Sequence, residues 1–116
     1  MRKLLLLTTS LLLAQTGWPP AGMRCPERTL VLFESGPNWD KARQFSAGHL
    51  AYVLQQMKSG KVLSAGPMEG AQRAAMLFAS KDWSEVEAIL KDEPFTREGV
   101  LQMTEHVVWN ACEAEK

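Results

Sequence analysis

The stretch Lys61–Ala79, KVLSAGPMEGAQRAAMLFA, decides the fold. It holds two β-prone runs, Lys61–Ala65 (KVLSA) and Ala74–Ala79 (AAMLFA), and Gly66 with Pro67 closes the first. Two strands therefore follow one another, with a helical pattern on each side. Toward the N-terminus, Lys41–Ser59 has helical spacing. Leu50, Val53, Leu54 and Met57 recur at three and four residues and share one face, and Gly60 supplies the stop. Before that helix, Thr29–Glu34 (TLVLFE) reads as a strand ending at the turn formers Ser35-Gly36-Pro37-Asn38. Toward the C-terminus, Asp82 and Glu85 have capping-box spacing, and the helix near Trp83–Lys91 sets Trp83, Val86, Ile89 and Leu90 on one side. Pro94 and Gly99 bracket a break. Val100–Trp109 then alternates as a fourth strand, with Leu101, Met103, Val107 and Trp109 on one face. The order β-α-β-β-α-β predicts an α+β, ferredoxin-like antiparallel sheet with two helices on one face.

Length and charge narrow the rest. A chain of 116 residues holds one domain. Thirteen basic residues against thirteen acidic ones give no excess of positive charge for neutralising phosphates, so no nucleic-acid partner is expected. Two cysteines and two histidines are too few for a zinc finger or a disulfide-dense miniprotein. No Gly-x-Ser-x-Gly elbow, phosphate loop, Cys-x-x-Cys or His-x-x-x-His is present, and neither a metal nor another cofactor is expected.

The N-terminus reads as an address. Arg2 and Lys3 precede an apolar run from Leu4 to Ala14, the pattern of a secretory signal peptide, and the run is shorter than the roughly 20 residues of a membrane span. Residues 1–22 are assigned to signal and connector, 25–112 to the domain and 113–116 to a tail. The expected location is exported, periplasmic or secreted, with no membrane association after cleavage.

Two further expectations follow from the topology. The first and last strands of this fold are antiparallel neighbours, so Cys25 and Cys112 flank adjacent strand ends. In an oxidising compartment they can form a disulfide; two unpaired thiols are the other reading. The runs around Leu30–Phe33 and Ala75–Phe78 are apolar on both faces, whereas a sheet covered on one side alternates. A second copy packed sheet to sheet, a homodimer, would cover the free face; small strands that are simply apolar are the other reading.

Glu34-Ser35-Gly36-Pro37-Asn38-Trp39-Asp40, His49-Leu50-Ala51-Tyr52, Gly60–Pro67 (GKVLSAGP), and Asp92-Glu93-Pro94-Phe95 with Gly99 and Trp109 together resemble the YCII-related family. The resemblance runs from about Thr29 to Trp109. It implies a ferredoxin-like α+β fold that dimerises through the sheet, and an active-site cleft around the helix histidine. Most members have no assigned reaction. A characterised relative eliminates chloride from a chlorinated hydroxyquinol, which gives lyase chemistry on a small ring compound a precedent. Members usually carry Asp-Pro-Phe or Asp-Pro-Tyr, and this chain has Glu93 before Pro94.

His49 is the candidate proton-transfer group, because imidazole can take and return a proton near neutral pH. A carboxylate on its other ring nitrogen would fix the tautomer; Asp40, Asp92 and Glu93 are the candidates. Ser64, Gly66, Pro67 and Phe95 are the expected pocket lining. His106, on the fourth strand, reads as a surface or dimer-face residue, and Trp39, Trp83 and Trp109 as packing residues. Two functions remain open on this basis. One is a small cofactor-free enzyme of lyase or isomerase type acting on a small organic substrate. The other is an exported module that binds a ligand, or only dimerises, without catalysis.

Overall fold

A computed structural model of the chain describes residues 17–70 and 72–116; the signal-peptide expectation falls mostly on residues 1–16, outside the described residues. The described chain forms two units, Glu27–Trp109 and the two chain ends.

In the larger unit, β2 (Glu27–Ser35), α1 (Ala42–Lys58), β3 (Val62–Met68), β4 (Arg73–Phe78), α2 (Trp83–Asp92), α3 (Pro94–Arg97) and β5 (Leu101–Asn110) follow in order, and a single 3-10 turn (Trp39–Lys41) precedes α1. The sheet order is β3-β4-β2-β5, which is the ferredoxin-like arrangement. β2 pairs antiparallel with β4, Val31 opposite Met76, and β3 pairs antiparallel with β4, Ala65 opposite Met76. Gln102 donates to Glu34 (3.0 Å) and the Thr104 hydroxyl to the Leu32 carbonyl (3.2 Å). These contacts run in opposite senses along the two strands, so β5 is antiparallel to β2.

Strand alternation puts Val31 and Phe33 of β2 and Met76 and Phe78 of β4 under the helices, where they pack with Val53, Val86 and Leu90. Leu30, Leu32, Ala75 and Leu77 lie half-buried on the opposite face. α1 ends in a Schellman motif: the Lys61 N–H donates to Gln56 O and the Gly60 N–H to Met57 O, with Gly60 at φ +79. Gly36 is required by close approach. A Cβ there would lie 2.3 Å from the Gly99 carbonyl oxygen, where the loop after β2 docks on the start of β5.

Several expectations change in detail. Gly66 and Pro67 lie within β3 and do not close it; β3 is an edge strand, which tolerates proline. The segment between Pro94 and Gly99 contains the short helix α3, with Pro94 at its first turn. The Asp82 carboxylate caps α2 at Ser84 N (3.0 Å), but the Asp82 N–H is taken by Ser80 Oγ and not by Glu85. On α1, Val53 is buried as expected, whereas Leu50 is 64% and Leu54 53% exposed. α1 is rotated so that its stripe is only partly covered by the sheet. On β5 only Leu101 is buried, and Trp109 is exposed and does not pack in the core. His106 is exposed, the surface residue expected, and stacks on Trp83 at the start of α2 (centroids 3.7 Å apart).

In the smaller unit, β1 (Met23–Arg24) pairs antiparallel with β6 (Glu113–Ala114), Arg24 bridges Glu113 at 2.7 Å, and Cys25 and Cys112 are joined as a disulfide. Residues 113–116, expected as a tail, thus contain a strand. No helix among the described residues is long and apolar enough to cross a membrane.

Candidate acid–base site

Two helix positions build the site. His49 sits one turn before the buried Val53 on α1, at the edge of the covered stripe, with 19% of its side chain exposed. Glu93 lies at the joint between α2 and α3. The residue before a proline avoids the helical region, and Glu93 is extended there (φ −74, ψ 120), so α2 stops and α3 begins around it. The side chain is thereby turned toward α1, and the residue is 1% exposed.

The Glu93 carboxylate accepts four hydrogen bonds. Oε1 takes His49 Nδ1 and the Phe95 N–H (3.2 Å); Oε2 takes the Thr96 N–H (2.8 Å) and the Thr96 hydroxyl (2.9 Å). The same side chain caps α3 and receives the imidazole. Burial by itself would raise this carboxyl. The hydrogen bonds from His49 and Thr96, together with the charge attraction of His49 in its protonated form, outweigh burial and hold it below the ordinary glutamate range. An ionised carboxylate only accepts, so the proton between the two residues sits on Nδ1 of His49. Phe95 lies flat against the imidazole, centroids 3.9 Å apart and planes 5° apart. With one edge bonded and one face stacked, the ring is held in a single orientation. Nε2 has no hydrogen-bond partner among the described residues.

His49 opens into a cavity of about 580 Å³. Phe33, Met76 and Leu101 from the sheet form its floor, Leu50, Val53 and Leu54 one wall, and Trp39, Gly66, Pro67 and Phe95 the remainder. This is a predominantly apolar hollow with an oriented imidazole at its side, the composition of a small-molecule site. Its other hydroxyls are engaged: Ser46 donates to the Ala42 carbonyl (2.8 Å) and Thr96 to Glu93.

Of the residues picked out in the sequence, His49, Glu93, Gly66, Pro67 and Phe95 come together here. Asp40, Asp92 and Ser64 do not. Asp40 is exposed on the 3-10 turn, and Ser64 is exposed on β3 opposite Leu77. Asp92, one residue before Glu93, is still helical and lines a different cavity of about 630 Å³ with Tyr52, Gln56 and Lys61. That space is slightly larger but holds no histidine. Its Tyr52 donates to the Ile89 carbonyl (2.7 Å), and burial, then the charges of Asp92 and Glu93, raise the phenol above its ordinary value. Sequence reasoning missed Thr96, Leu50 and Leu54 as site residues. The only trace of Thr96 was its position three residues after an acid that precedes a proline, the spacing of a helix cap. Among the described residues, no group of three or more His, Cys, Asp or Glu side chains is placed to hold a metal ion.

The model of the YCII-related domain matches residues 27–110. Among solved structures, the chain is similar to 5-chloro-2-hydroxyhydroquinone dehydrochlorinase (TftG) from Burkholderia phenoliruptrix, in complex with 2,5-dihydroxybenzoquinone. The TM-score is 0.51 at 20% identity, over 76% of this chain and 93% of that one. Among curated proteins, none matches.

Proposed function

The chain belongs to the YCII-related family, and from that premise we propose that it is a small cofactor-free enzyme in which His49 is the general acid–base for a lyase or isomerase step on a small organic substrate. The observation that carries the proposal is the buried Glu93 carboxylate on Nδ1 of an imidazole that lines a predominantly apolar cavity. In the resting state Nε2 carries no proton and is the base. It accepts a proton from substrate carbon or oxygen, and the imidazolium so formed is stabilised by Glu93, which stays ionised throughout. In an elimination, the electron pair of the broken bond to hydrogen forms the new double bond. The leaving group departs with its own pair, and Nε2 later gives the proton to solvent. In an isomerisation it returns the proton to a neighbouring atom. Neither sequence needs an oxidant.

The solved relative acts on a chlorinated hydroxyquinol and was captured with a dihydroxyquinone. The hollow beside His49, about 580 Å³, has room for a flat ring of that size, so ring compounds carrying hydroxyls and a leaving group are the first substrates to test. Incubation with 5-chloro-2-hydroxyhydroquinone should release chloride in the wild type and not in His49→Gln. Release at an equal rate in the variant would remove His49 from the chemistry.

The chain is further proposed to act as an exported homodimer. The half-buried Leu30, Leu32, Ala75 and Leu77 give the sheet an apolar outer face suited to a second copy, and the Cys25–Cys112 disulfide suits an oxidising compartment. A second reading, a binding module without turnover, is favoured by the engagement of Ser46 and Thr96, which leaves His49 and Arg73 as the polar side chains of the lining open to a guest. Recovery of a bound ring compound unchanged after long incubation would support it over catalysis.

A further inference from the structure

We infer that Thr96 is a positioning residue that holds Glu93 in the orientation His49 requires. The inference rests on His49 and Glu93 working as a pair, but its test is read without any substrate.

A glutamate side chain has three rotatable bonds, one more than aspartate, and a hydrogen bond at one oxygen leaves the carboxylate free to swing. Here each oxygen is held separately. Oε1 is shared by His49 Nδ1 and the Phe95 N–H, and Oε2 is held entirely by Thr96, through its N–H at 2.8 Å and its hydroxyl at 2.9 Å. Among the described residues no other side chain reaches Oε2. Capping α3 needs only the two backbone N–H groups. The hydroxyl is an additional bond, and its effect is to fix the plane of the carboxylate. With Oε2 held, Oε1 remains directed at the imidazole. Thr96 also borders the cavity. The titratable groups around Glu93 are His49 and Tyr52 from α1 and Asp92 beside it in the chain.

The experiment uses the full oxidised chain labelled with ¹⁵N-histidine and ¹³C-carboxyl glutamate. His106→Asn assigns the imidazoles and Glu93→Gln assigns the carboxyl. Thr96→Val keeps the shape of the side chain and removes the hydroxyl. In that variant the Glu93 carboxyl should titrate closer to the ordinary glutamate value, and the His49 Nδ1–H proton should exchange with solvent about tenfold faster, the loss expected for one hydrogen bond to a charged group. Thr96→Ser should restore both. If Thr96→Val lowers the thermal midpoint yet leaves the titration and the exchange at wild-type values, Thr96 is only a helix cap and the inference is overturned. If Thr96→Val does not fold, Thr96→Ala is read in its place by the same two signals: a raised Glu93 titration with faster Nδ1–H exchange supports the positioning role, and wild-type values of both in a folded protein overturn it. Either outcome is separate from the turnover of His49→Gln, so a failure here is distinguishable from a failure of the acid–base reading.

Discussion

Glu93, 1% exposed, accepts the Nδ1–H of His49, whose side chain remains partly open to the cavity. One member of the pair is sealed under α1 and the other is wet. That asymmetry suits a proton shuttle, since the carboxylate is buried and the partly exposed imidazole is the group that can exchange.

Removing either partner should therefore cost stability in unequal ways. His49→Ala leaves a buried carboxylate with its Phe95 and Thr96 bonds only. Glu93→Ala removes both the acid and the cap of α3. A hydrogen bond to a charged group contributes about 1.5–3 kcal/mol, and a lost cap adds about 1 kcal/mol. Urea unfolding at neutral pH should rank Glu93→Ala below His49→Ala, and both below wild type.

Stability should also depend on pH through Glu93. Its carboxyl is held below the ordinary glutamate value of about 4.3. The unfolded chain then binds the proton more readily than the folded one. The stabilisation is complete above the unfolded value and is lost as pH falls through the lower, folded value. The gap in urea midpoint between wild type and Glu93→Gln should narrow as pH falls below the ordinary glutamate range. A gap that stays level down to pH 3 would contradict the ionised, hydrogen-bonded state of Glu93.

The disulfide closes a loop between residues 87 apart in sequence. Cross-links of this kind typically contribute about 2–5 kcal/mol, chiefly by restricting the unfolded chain. For a domain of this size, reduction or the double change Cys25→Ser with Cys112→Ser should lower the thermal midpoint by roughly 10–20 °C. The His49–Glu93 pair lies far from residues 25 and 112 in sequence, and the Nδ1–H signal should survive below the new midpoint.

The open sheet face gives a test of assembly. Leu32→Glu puts a charge among Leu30, Leu77 and Ala75 without touching the helix-side core. Sedimentation should give a dimer for the wild type and a monomer for the variant, with unchanged far-ultraviolet circular dichroism. A monomeric wild type would remove the sheet-to-sheet dimer.

Much of the architecture was legible because its signals are local. Turn formers after β2, glycine at the end of α1 and β-prone runs at β4 and β5 place the elements within a few residues. The rotation of α1 was not legible. Periodicity groups Leu50, Val53, Leu54 and Met57 on one face but does not say how much of that face the sheet covers; all four border the cavity, and Leu50 and Leu54 are exposed. α3 was missed because four residues are too few to show a period. The site was half legible. His49 could be singled out by residue type and position, but its partner could not. Asp92 and Glu93 are adjacent, and the change from helical to extended backbone at the residue before Pro94 sends one to each of two cavities. Thr96 carries no signal until Glu93 is known to be a cap.

The most direct measurement is the proton location on His49, read from the two ¹⁵N ring shifts of the neutral imidazole in the oxidised wild type and in Glu93→Gln. The wild type should carry its proton on Nδ1, with a bare Nε2 whose shift moves when 2,5-dihydroxybenzoquinone is added. A ring protonated on Nε2, or one whose shifts are the same in both proteins, would contradict a histidine oriented by Glu93 for proton transfer.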